Sequence, residues 1–286
     1  MQFDYLEPKT IGEAVSLLCK YDGRSKVIAG GTDLMVQIRT KTIKPRYVVD
    51  ITGISGLDYI NYDEKQGLSI GTLTTIRALQ TSAELQHRYP VISQAASQLG
   101  SAAIRNIGTI GGNLCNAALS AETAPALIGL SARGKIVGPD GERVTPLENF
   151  FAGPGNTILK KGELLVQIQA PVQLPNTKGA YLKHSIRGSV DLAIVGVAVI
   201  ITLAPDDNVC QDIRIALGAV APTPVRARQA EEVLKGEKVN EALINQSAQV
   251  ASDEIRPISD IRASAEYRKE MVKVYTRRAI RQAIAK

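Results

Sequence analysis

Two glycine pairs limit what this chain of 286 residues can fold into more than any other feature of its sequence. The first pair stands in Ala29-Gly30-Gly31-Thr32-Asp33, at the end of a short β-type run over residues 26–29. The second stands in Thr109-Ile110-Gly111-Gly112-Asn113. Glycine allows a close approach of backbone segments and the positive φ angles of tight turns. The first pair therefore predicts a turn from a strand into a helix over residues 34–39, and the second pair predicts another glycine loop.

Loops of this kind can hold a diphosphate, because successive backbone N–H groups of a glycine-rich turn or a helix start point at the anion. A single Gly-Gly turn is more often structural, since any tight turn tolerates it. Two such loops in one chain, each bracketed by hydroxyl or amide side chains, favour a ligand enclosed from two sides. No G-x-G-x-x-G follows the first strand, which disfavours a Rossmann site. We expect both loops to present amides to one pyrophosphate.

Periodicity gives a coarse outline of the remaining elements. Thr10 and Glu13 match a capping box and predict a first helix. Strands are expected over residues 47–51, 68–73, 135–137, 164–168, 193–203 and 213–220. The Ala- and Leu-rich residues 117–130 predict a buried helix. The final hundred residues turn to helical periodicity, with Tyr267, Met271, Val274 and Tyr275 on one face of the last helix.

Composition excludes several classes of protein. With 44% hydrophobic and 22% charged residues, the chain resembles an ordinary soluble protein of two or three subdomains. The net charge of +6 is located entirely in residues 256–286, where nine Lys or Arg stand against three Asp or Glu. This segment has few aromatic residues on which bases could stack, which indicates a solvated or docking face, so we expect no nucleic-acid partner. No leader peptide or membrane span is expected, which favours a cytoplasmic location.

Cysteine and histidine usage argues against a metal centre held by this chain alone. Cys19, Cys115 and Cys210 are odd in number and far apart, and the only histidines are His87 and His184. Cys115 is interpreted as a small buried residue, and His184 as a surface or hydrogen-bonded side chain. We also find no general acid–base pair or nucleophile constellation, so no catalytic residue is predicted.

Four segments resemble a known family. AGGTDLMVQIR from Ala29, IRNIGTIGGNLCNA from Ile104, GELLVQIQAP from Gly162 and YLKHSIRG from Tyr181 are similar, in order and spacing, to the FAD-binding medium subunit of molybdenum hydroxylases, the xanthine dehydrogenase and CO dehydrogenase family. The resemblance covers nearly the whole chain, and the first two strings are highly specific in combination. It implies an α+β fold of the vanillyl-alcohol oxidase and p-cresol methylhydroxylase (VAO/PCMH) type. Residues 1–55 and 56–175 would form two FAD-binding subdomains, and residues 176–286 a CO dehydrogenase flavoprotein-like domain with a small antiparallel sheet and helices.

The resemblance also implies a set of cofactor-binding residues. Glycines and a hydroxyl of the first loop would lie at the pyrophosphate, and the second loop would approach from the second subdomain. Asn116 and Glu122 would bond the phosphate or ribose portion, Leu165 would pack against FAD, and Lys183 would lie near the flavin end. Glu122 stands where relatives usually have Asp, so its reach is longer. The full set is Lys26, Val27, Ile28, Ala29, Gly30, Gly31, Thr32, Asp33, Thr109, Gly111, Gly112, Asn113, Asn116, Glu122, Leu165 and Lys183.

The implied function is electron transfer within a larger enzyme. FAD would be bound non-covalently here, while the molybdenum cofactor would lie on a large subunit and two [2Fe-2S] clusters on a small subunit. Electrons would leave FAD for NAD or another acceptor, in an assembly that forms a dimer of heterotrimers. Some relatives carry an iron–sulfur cluster in a cysteine-bearing insertion, which this sequence lacks. Because substrates are hydroxylated on another polypeptide, this sequence does not define the substrate.

Two alternatives stay open at this point. A stand-alone flavoprotein oxidase of the same fold would carry a histidine or cysteine for covalent flavin attachment and a polar substrate pocket in its C-terminal domain, and neither is evident in the sequence. A non-catalytic nucleotide-binding scaffold would be purified without flavin.

Overall fold

The chain forms three β-sheets that follow one another along the sequence. The structure is a computed structural model and describes residues 3–188, 190–205 and 208–285. Within these residues the sheets take their strands from residues 4–50, 60–170 and 177–226, in that order, and a two-stranded hairpin accompanies the second sheet. The mixture of helices and strands confirms the predicted α+β class.

The first sheet is a parallel one with two short helices. Its strands β1 (Asp4–Leu6), β2 (Ser25–Ile28) and β3 (Tyr47–Asp50) follow the order β1-β3-β2, and α1 (Ile11–Lys20) and α2 (Leu34–Arg39) connect them. The predicted cap is present, since Glu13 N donates to Thr10 Oγ1 at 3.1 Å. The Glu13 carboxylate accepts from Lys9 N at 2.7 Å, which ties down the residue before the cap.

The second sheet is antiparallel and carries a layer of short helices. Its order is β4-β5-β10-β6-β7. The strands are β4 (Ile60–Asp63), β5 (Gly67–Gly71), β6 (Arg133–Gly138), β7 (Gly141–Pro146) and β10 (Leu164–Ala170), and the hairpin consists of β8 (Phe151–Gly153) and β9 (Asn156–Thr157). The helices are α3 (Ile76–Thr81), α4 (Ala83–Arg88), α5 (Pro90–Ser97), α6 (Ala102–Ile107), α7 (Ile110–Cys115), α8 (Thr123–Gly129) and a 3-10 turn (Leu147–Asn149).

The helix predicted over residues 117–130 forms only in its second half, as α8. Ala117 has a φ of 46°, a left-handed angle that interrupts a helix. Distant backbone groups hold the segment before α8 in place, because Gly155 N donates to Ala117 O at 2.9 Å and Ala219 N donates to Leu119 O at 2.8 Å. The prediction was wrong there because these tertiary contacts override an alanine-rich local preference.

The C-terminal region is a small antiparallel sheet with helices, as the resemblance implied. The sheet order is β11-β12-β13-β14, with β11 (Thr177–His184), β12 (Val195–Leu203), β13 (Cys210–Gly218) and β14 (Val225–Arg226). It is followed by α9 (Arg228–Glu232), α10 (Glu241–Asp253) and α11 (Ala265–Ala285). Ala198 and Ile200 of β12 join the core beneath the second sheet and its helices. The alternate residues Val197, Val199 and Ile201 join a separate core with α10 and α11, so both faces of β12 are buried.

The buried face of α11 differs from the predicted one. Buried positions are Arg268, Val272, Thr276, Ala279, Ile280 and Ala283. The predicted face is at most half-buried, and Tyr267 is 44% exposed. The small residues among these positions, Ala279 and Ala283, let α11 pack closely on the sheet, while Tyr267 and Tyr275 turn their hydroxyls to His184. Among the described helices, none is long and apolar enough to cross a membrane.

Candidate cofactor-binding site

A cavity of about 710 Å³ lies between the first loop and the elements of the second sheet. This volume is within the range of small-molecule sites. Nearly all the sequence-predicted site residues line it: residues 26–33, Thr109, Gly111, Gly112, Asn113, Asn116 and Leu165. The exceptions are Glu122 and Lys183. The structure therefore brings the two glycine loops to one cavity, as the sequence predicted.

The first loop leaves its backbone amides available. Gly31 has a φ of 67°, which makes glycine necessary for the turn from β2 into α2. The hydrogen bonds between described residues include none donated by the amides of residues 30–33. Gly30, Gly31 and Thr32 are half-buried, and amides in such places normally have partners, so unused donors in a loop that lines a cavity indicate an anion site.

The second loop behaves differently, because it forms the start of α7 and its amides are already used. Ile110 N donates to Thr74 O and Gly111 N donates to Thr72 O, both at 2.9 Å. Gly112 N donates to Thr109 Oγ1 at 3.1 Å. Asn113 N donates to Thr109 O at 2.9 Å. The expectation that both loops present amides is therefore wrong for the second loop, which can offer side chains and the open face of Gly112 instead.

Two of the four glycines are required by packing between protein segments. A Cβ on Gly30 would lie 2.1 Å from Ile107 O, and one on Gly111 would lie 1.8 Å from Thr72 Oγ1. Gly30 thus places the first loop directly against the residues that precede the second loop. Gly31 and Gly112 are not limited in this way: a Cβ would lie 3.1 Å from the flexible Ile28 side chain and 3.0 Å from Thr109 Oγ1, respectively.

Polar side chains connect the two regions across the cavity. Gln37 of α2 donates through Nε2 to Asn116 Oδ1 at 3.4 Å. Thr123 donates to Asn113 Oδ1 at 2.5 Å, which leaves the amide nitrogen of Asn113 as the donor toward the cavity side. Sequence reasoning missed Gln37. The signal was its position four residues after Asp33, which places both side chains on one helical face.

The cavity has an apolar floor and a basic rim that the sequence did not predict. Leu18, Ile51 and Leu164, all buried, join Leu165 in its lining, and the exposed Lys160 and Lys161 line it as well. These lysines belong to the turn before β10, which had no motif to mark it beyond Gly162, whose φ is 75°.

Glu163 fixes that turn. Its carboxylate accepts from Lys160 N at 2.7 Å and forms a two-pronged pair with Arg143, with both distances 2.7 Å. The hydrogen bond from Arg143 lowers the pKa of Glu163 below its usual value. The carboxylate is therefore ionised throughout the neutral range.

Glu122 and Lys183 pair with each other. Lys183 Nζ lies 2.8 Å from Glu122 Oε1, with side-chain exposures of 1% and 7%, and it also donates to Gln98 O at 2.8 Å. Burial raises the pKa of Glu122, with Lys183 opposing and the charge of Asp33 on the first loop adding to the rise. Their predicted contacts with the cofactor stay a prediction, since neither residue belongs to the cavity lining.

Two further titratable residues, Cys115 and His184, have different environments. Cys115 lines the cavity, and burial raises the pKa of its thiol to about 12. A thiol that stays protonated at neutral pH is a poor nucleophile. His184 is hydrogen-bonded through its two ring nitrogens to Tyr275 Oη at 3.1 Å and Tyr267 Oη at 3.0 Å. Burial and the charge of Arg278 lower the pKa of His184, so its ring is neutral at pH 7.

Comparisons with known proteins match both halves of the chain. Residues 1–173 match the FAD binding domain in molybdopterin dehydrogenase, and residues 180–283 match the CO dehydrogenase flavoprotein C-terminal domain. The xanthine dehydrogenase FAD-binding subunit of Escherichia coli O157:H7 is 32% identical, over 98% of this chain and 96% of that protein. The carbon monoxide dehydrogenase medium chain of Hydrogenophaga pseudoflava is 32% identical, over 100% of this chain and 98% of that protein.

A solved structure gives the same result at the level of the fold. Carbon monoxide dehydrogenase from Hydrogenophaga pseudoflava, in a form that lacks the Mo-pyranopterin moiety of the molybdenum cofactor, contains a chain that superimposes with a TM-score of 0.96. The match covers 100% of this chain and 98% of that chain, at 32% identity. Together with the cavity between the two glycine loops, these matches show that the chain is an oxidoreductase subunit and belongs to the FAD-binding medium subunits of the molybdenum hydroxylases.

Proposed function

We propose that this chain binds FAD non-covalently in the 710 Å³ cavity and acts as the electron-transfer subunit of a molybdenum hydroxylase. The observation that carries the proposal is the set of backbone amides at residues 30–33 that donate no hydrogen bond to described residues, in a loop that lines a cavity built from both regions of the FAD-binding half. A diphosphate placed there would receive backbone hydrogen bonds without any lysine contact. The protonated thiol of Cys115 supports non-covalent binding.

The remaining lining residues have complementary roles in this proposal. Thr32 adds a hydroxyl to the amides of the first loop. Asn113 and Asn116 supply amide donors from the second region, and Gln37 holds Asn116 in place from α2. Leu165, which is 1% exposed, forms an apolar floor on which a ring system of the dinucleotide can pack. We keep the sequence-based assignment of all sixteen residues, with Glu122 and Lys183 acting as a pair.

The wider assignment follows the relatives, whose names describe medium chains and FAD-binding subunits of dehydrogenase complexes. When bound, FAD would accept electrons from [2Fe-2S] clusters of a small subunit and deliver them to NAD or another acceptor. A large subunit would hold the molybdenum cofactor, in a dimer of heterotrimers located in the cytoplasm. The role of this chain's own residues is to bind FAD and to fix its orientation relative to the partner subunits.

An absorbance spectrum of the purified chain tests the core of the proposal. We expect the bands of oxidised flavin, or their recovery after incubation with FAD, and release of free FAD on denaturation with acid. A chain that stays colourless after incubation contradicts the proposal, and a flavin that remains attached after denaturation contradicts the non-covalent part. Purification of a tagged chain from its natural host, followed by identification of accompanying subunits and their molybdenum and iron, tests the assembly.

A further inference from the structure

The rim of the cavity carries a local excess of positive charge. Lys26, Lys160 and Lys161 all line one end, and all three are exposed. Among the ion pairs of the described residues, none involves Lys26 or Lys160, and Lys161 Nζ lies 3.7 Å from Asp22 Oδ2, at the loose limit of a salt bridge. The other carboxylates of the lining are Glu163, which is already paired with Arg143, and Asp33, which belongs to the first loop. With Arg143 included, four cationic side chains therefore stand against the carboxylates of Asp22 and Glu163 at this end of the cavity.

The rim is separate from the open amides of the first loop. Lys26 precedes Gly30 by four residues along β2, which corresponds to about 13 Å in an extended strand. Lys161 lies at the same end, because its partner Asp22 comes just before β2. At physiological ionic strength charges are screened over about 8 Å, so these lysines add little to the binding of a diphosphate already held at residues 30–33. They would act more strongly on an anionic ligand that is still entering the cavity at their end.

The lysine side chains and the apolar lining of the cavity differ in their exposure to solvent. The lysines are exposed, whereas Leu164 and Leu165 of the same lining are buried, so an anion that arrives from solvent at this end meets the positive charge before the apolar floor. Charges of one sign at the mouth of a cleft raise the local concentration of an oppositely charged ligand and its association rate.

We propose that Lys160 and Lys161 form a capture rim at the end of the cavity where Lys26 lies, and that these two lysines speed the association of the anionic dinucleotide and contribute little to its retention. The inference rests on the proposed binding of FAD in this cavity. It assigns a role to two residues of the turn before β10, whose backbone is fixed by Glu163 independently of the lysine side chains.

The test compares association rates in three forms of the full chain, each stripped of flavin: the natural sequence, Lys160→Gln/Lys161→Gln, and the matched control Lys65→Gln/Lys235→Gln. The control removes the same charge from exposed lysines outside the cavity lining. Each form is mixed rapidly with excess FAD, and the change in flavin fluorescence gives the association rate constant. Release of FAD in the presence of a competitor gives the dissociation rate constant.

We expect the rim variant to associate about 3- to 10-fold more slowly at low ionic strength, with an unchanged dissociation rate constant. The difference should vanish near 1 M salt, where charges are screened over about 3 Å. The control should match the natural sequence at both ionic strengths, and thermal melting of all three should coincide because the exchanged side chains are exposed.

Three outcomes would overturn the inference: an unchanged association rate in the rim variant, an equal fall in the control, or an effect carried by dissociation. If the rim variant folds poorly, the salt dependence of association in the natural sequence decides, because a capture rim requires association to slow as salt is added. Absence of FAD binding by the natural sequence overturns the proposed function. FAD binding with salt-independent association overturns the capture rim alone.

Discussion

Lys183 Nζ and Glu122 Oε1 form an ion pair of 2.8 Å that joins the C-terminal sheet to the FAD-binding half of the chain. Both side chains are almost fully withdrawn from water. A buried pair is costly to form, but removal of one partner is costlier, since it leaves a charge without compensation. The pair therefore holds the two halves in one relative arrangement near the cofactor cavity.

Replacement of one partner should destabilise the fold. We expect Lys183→Met to lower the free energy of unfolding by about 3 kcal/mol, because Glu122 loses its counter-charge, and Glu122→Gln in the same chain to restore part of the loss. Urea denaturation of the flavin-free chain measures both. Lys135→Met, which breaks the partly exposed pair with Glu142, serves as control and should cost less than about 1 kcal/mol. Equal losses in Lys183→Met and Lys135→Met would contradict the assigned role.

Gly31 and Gly112 should be needed for flavin more than for folding. Valine at position 31 would force a β-branched residue to a φ of 67°, a strain of roughly 1–3 kcal/mol, and would place a side chain on the cavity wall. Valine at position 112 would fill the open face of the second loop. We expect both variants to be purified without FAD, as measured by the ratio of flavin to protein absorbance. Gly12→Val, in α1 with free space around it, should keep its flavin. Full flavin content in both cavity variants would make the loops purely structural.

Gly30 and Gly111 should show the opposite behaviour. Even alanine at these positions collides with Ile107 O or Thr72 Oγ1, so backbone segments must move apart. We expect each alanine variant to lose roughly 1–3 kcal/mol of stability in the absence of any flavin. Gly53→Ala, where a Cβ has ordinary space, is the control for denaturation of the flavin-free chain. A pair of variants with unchanged midpoints would show that these contacts relax without cost.

Glu163 should make the free energy of unfolding depend on pH. Its pKa is lowered in the folded state by Arg143, so its stabilising contribution is present above the carboxyl value of the unfolded chain, about 4.3, and is lost as the pH falls through the lower folded value. Melting temperatures of the natural sequence and of Glu163→Gln should therefore differ most at neutral pH and converge only as the pH falls below the lowered pKa of Glu163 in the folded state. A gap that persists unchanged into strong acid would assign the effect to packing.

The basic α11 is expected to serve subunit contact. Arg278 is exposed and lies over the Tyr275 ring at 5.4 Å, while Arg277 is hydrogen-bonded to Asn245 at 3.3 Å. We expect Arg277→Glu/Arg278→Glu to reduce recovery of partner subunits in a pull-down by several-fold while FAD content stays unchanged. Lys235→Glu/Lys238→Glu is the control for a charge reversal elsewhere. Equal recovery in both variants would refute the assignment.

The sequence predicted features that depend on neighbours along the chain. Thr10 and Glu13 marked the start of α1, and Gly31 marked a turn whose positive φ only glycine adopts easily. The amides of Ile110 and Gly111 in the second loop could not be judged in this way, because their acceptors Thr74 and Thr72 lie far earlier in the chain.

Residues brought to the site by tertiary structure escaped prediction for the same reason. Lys160 and Lys161 reach the cavity through the pairing of β10 within the second sheet, and Lys161 meets Asp22 from the first subdomain. The segment before α8 has helix-forming residues, but contacts with Gly155 and Ala219 hold it in another conformation. A local pattern carries no information about such contacts.

Alternate side chains of β12 pack into two different hydrophobic cores. Residues 1–173 and 180–283, which match separate family models, therefore cannot be exchanged between relatives as independent units. Gly129 of α8 lies against Ile200 of β12, so a change of side-chain volume at either position alters the packing between the two regions. Recombination that joins the first half of one relative to the second half of another should leave voids or collisions at Ala198 and Ile200. Hybrids that repair these positions together should recover solubility, whereas changes on the exposed sides of α10 and α11 should be tolerated.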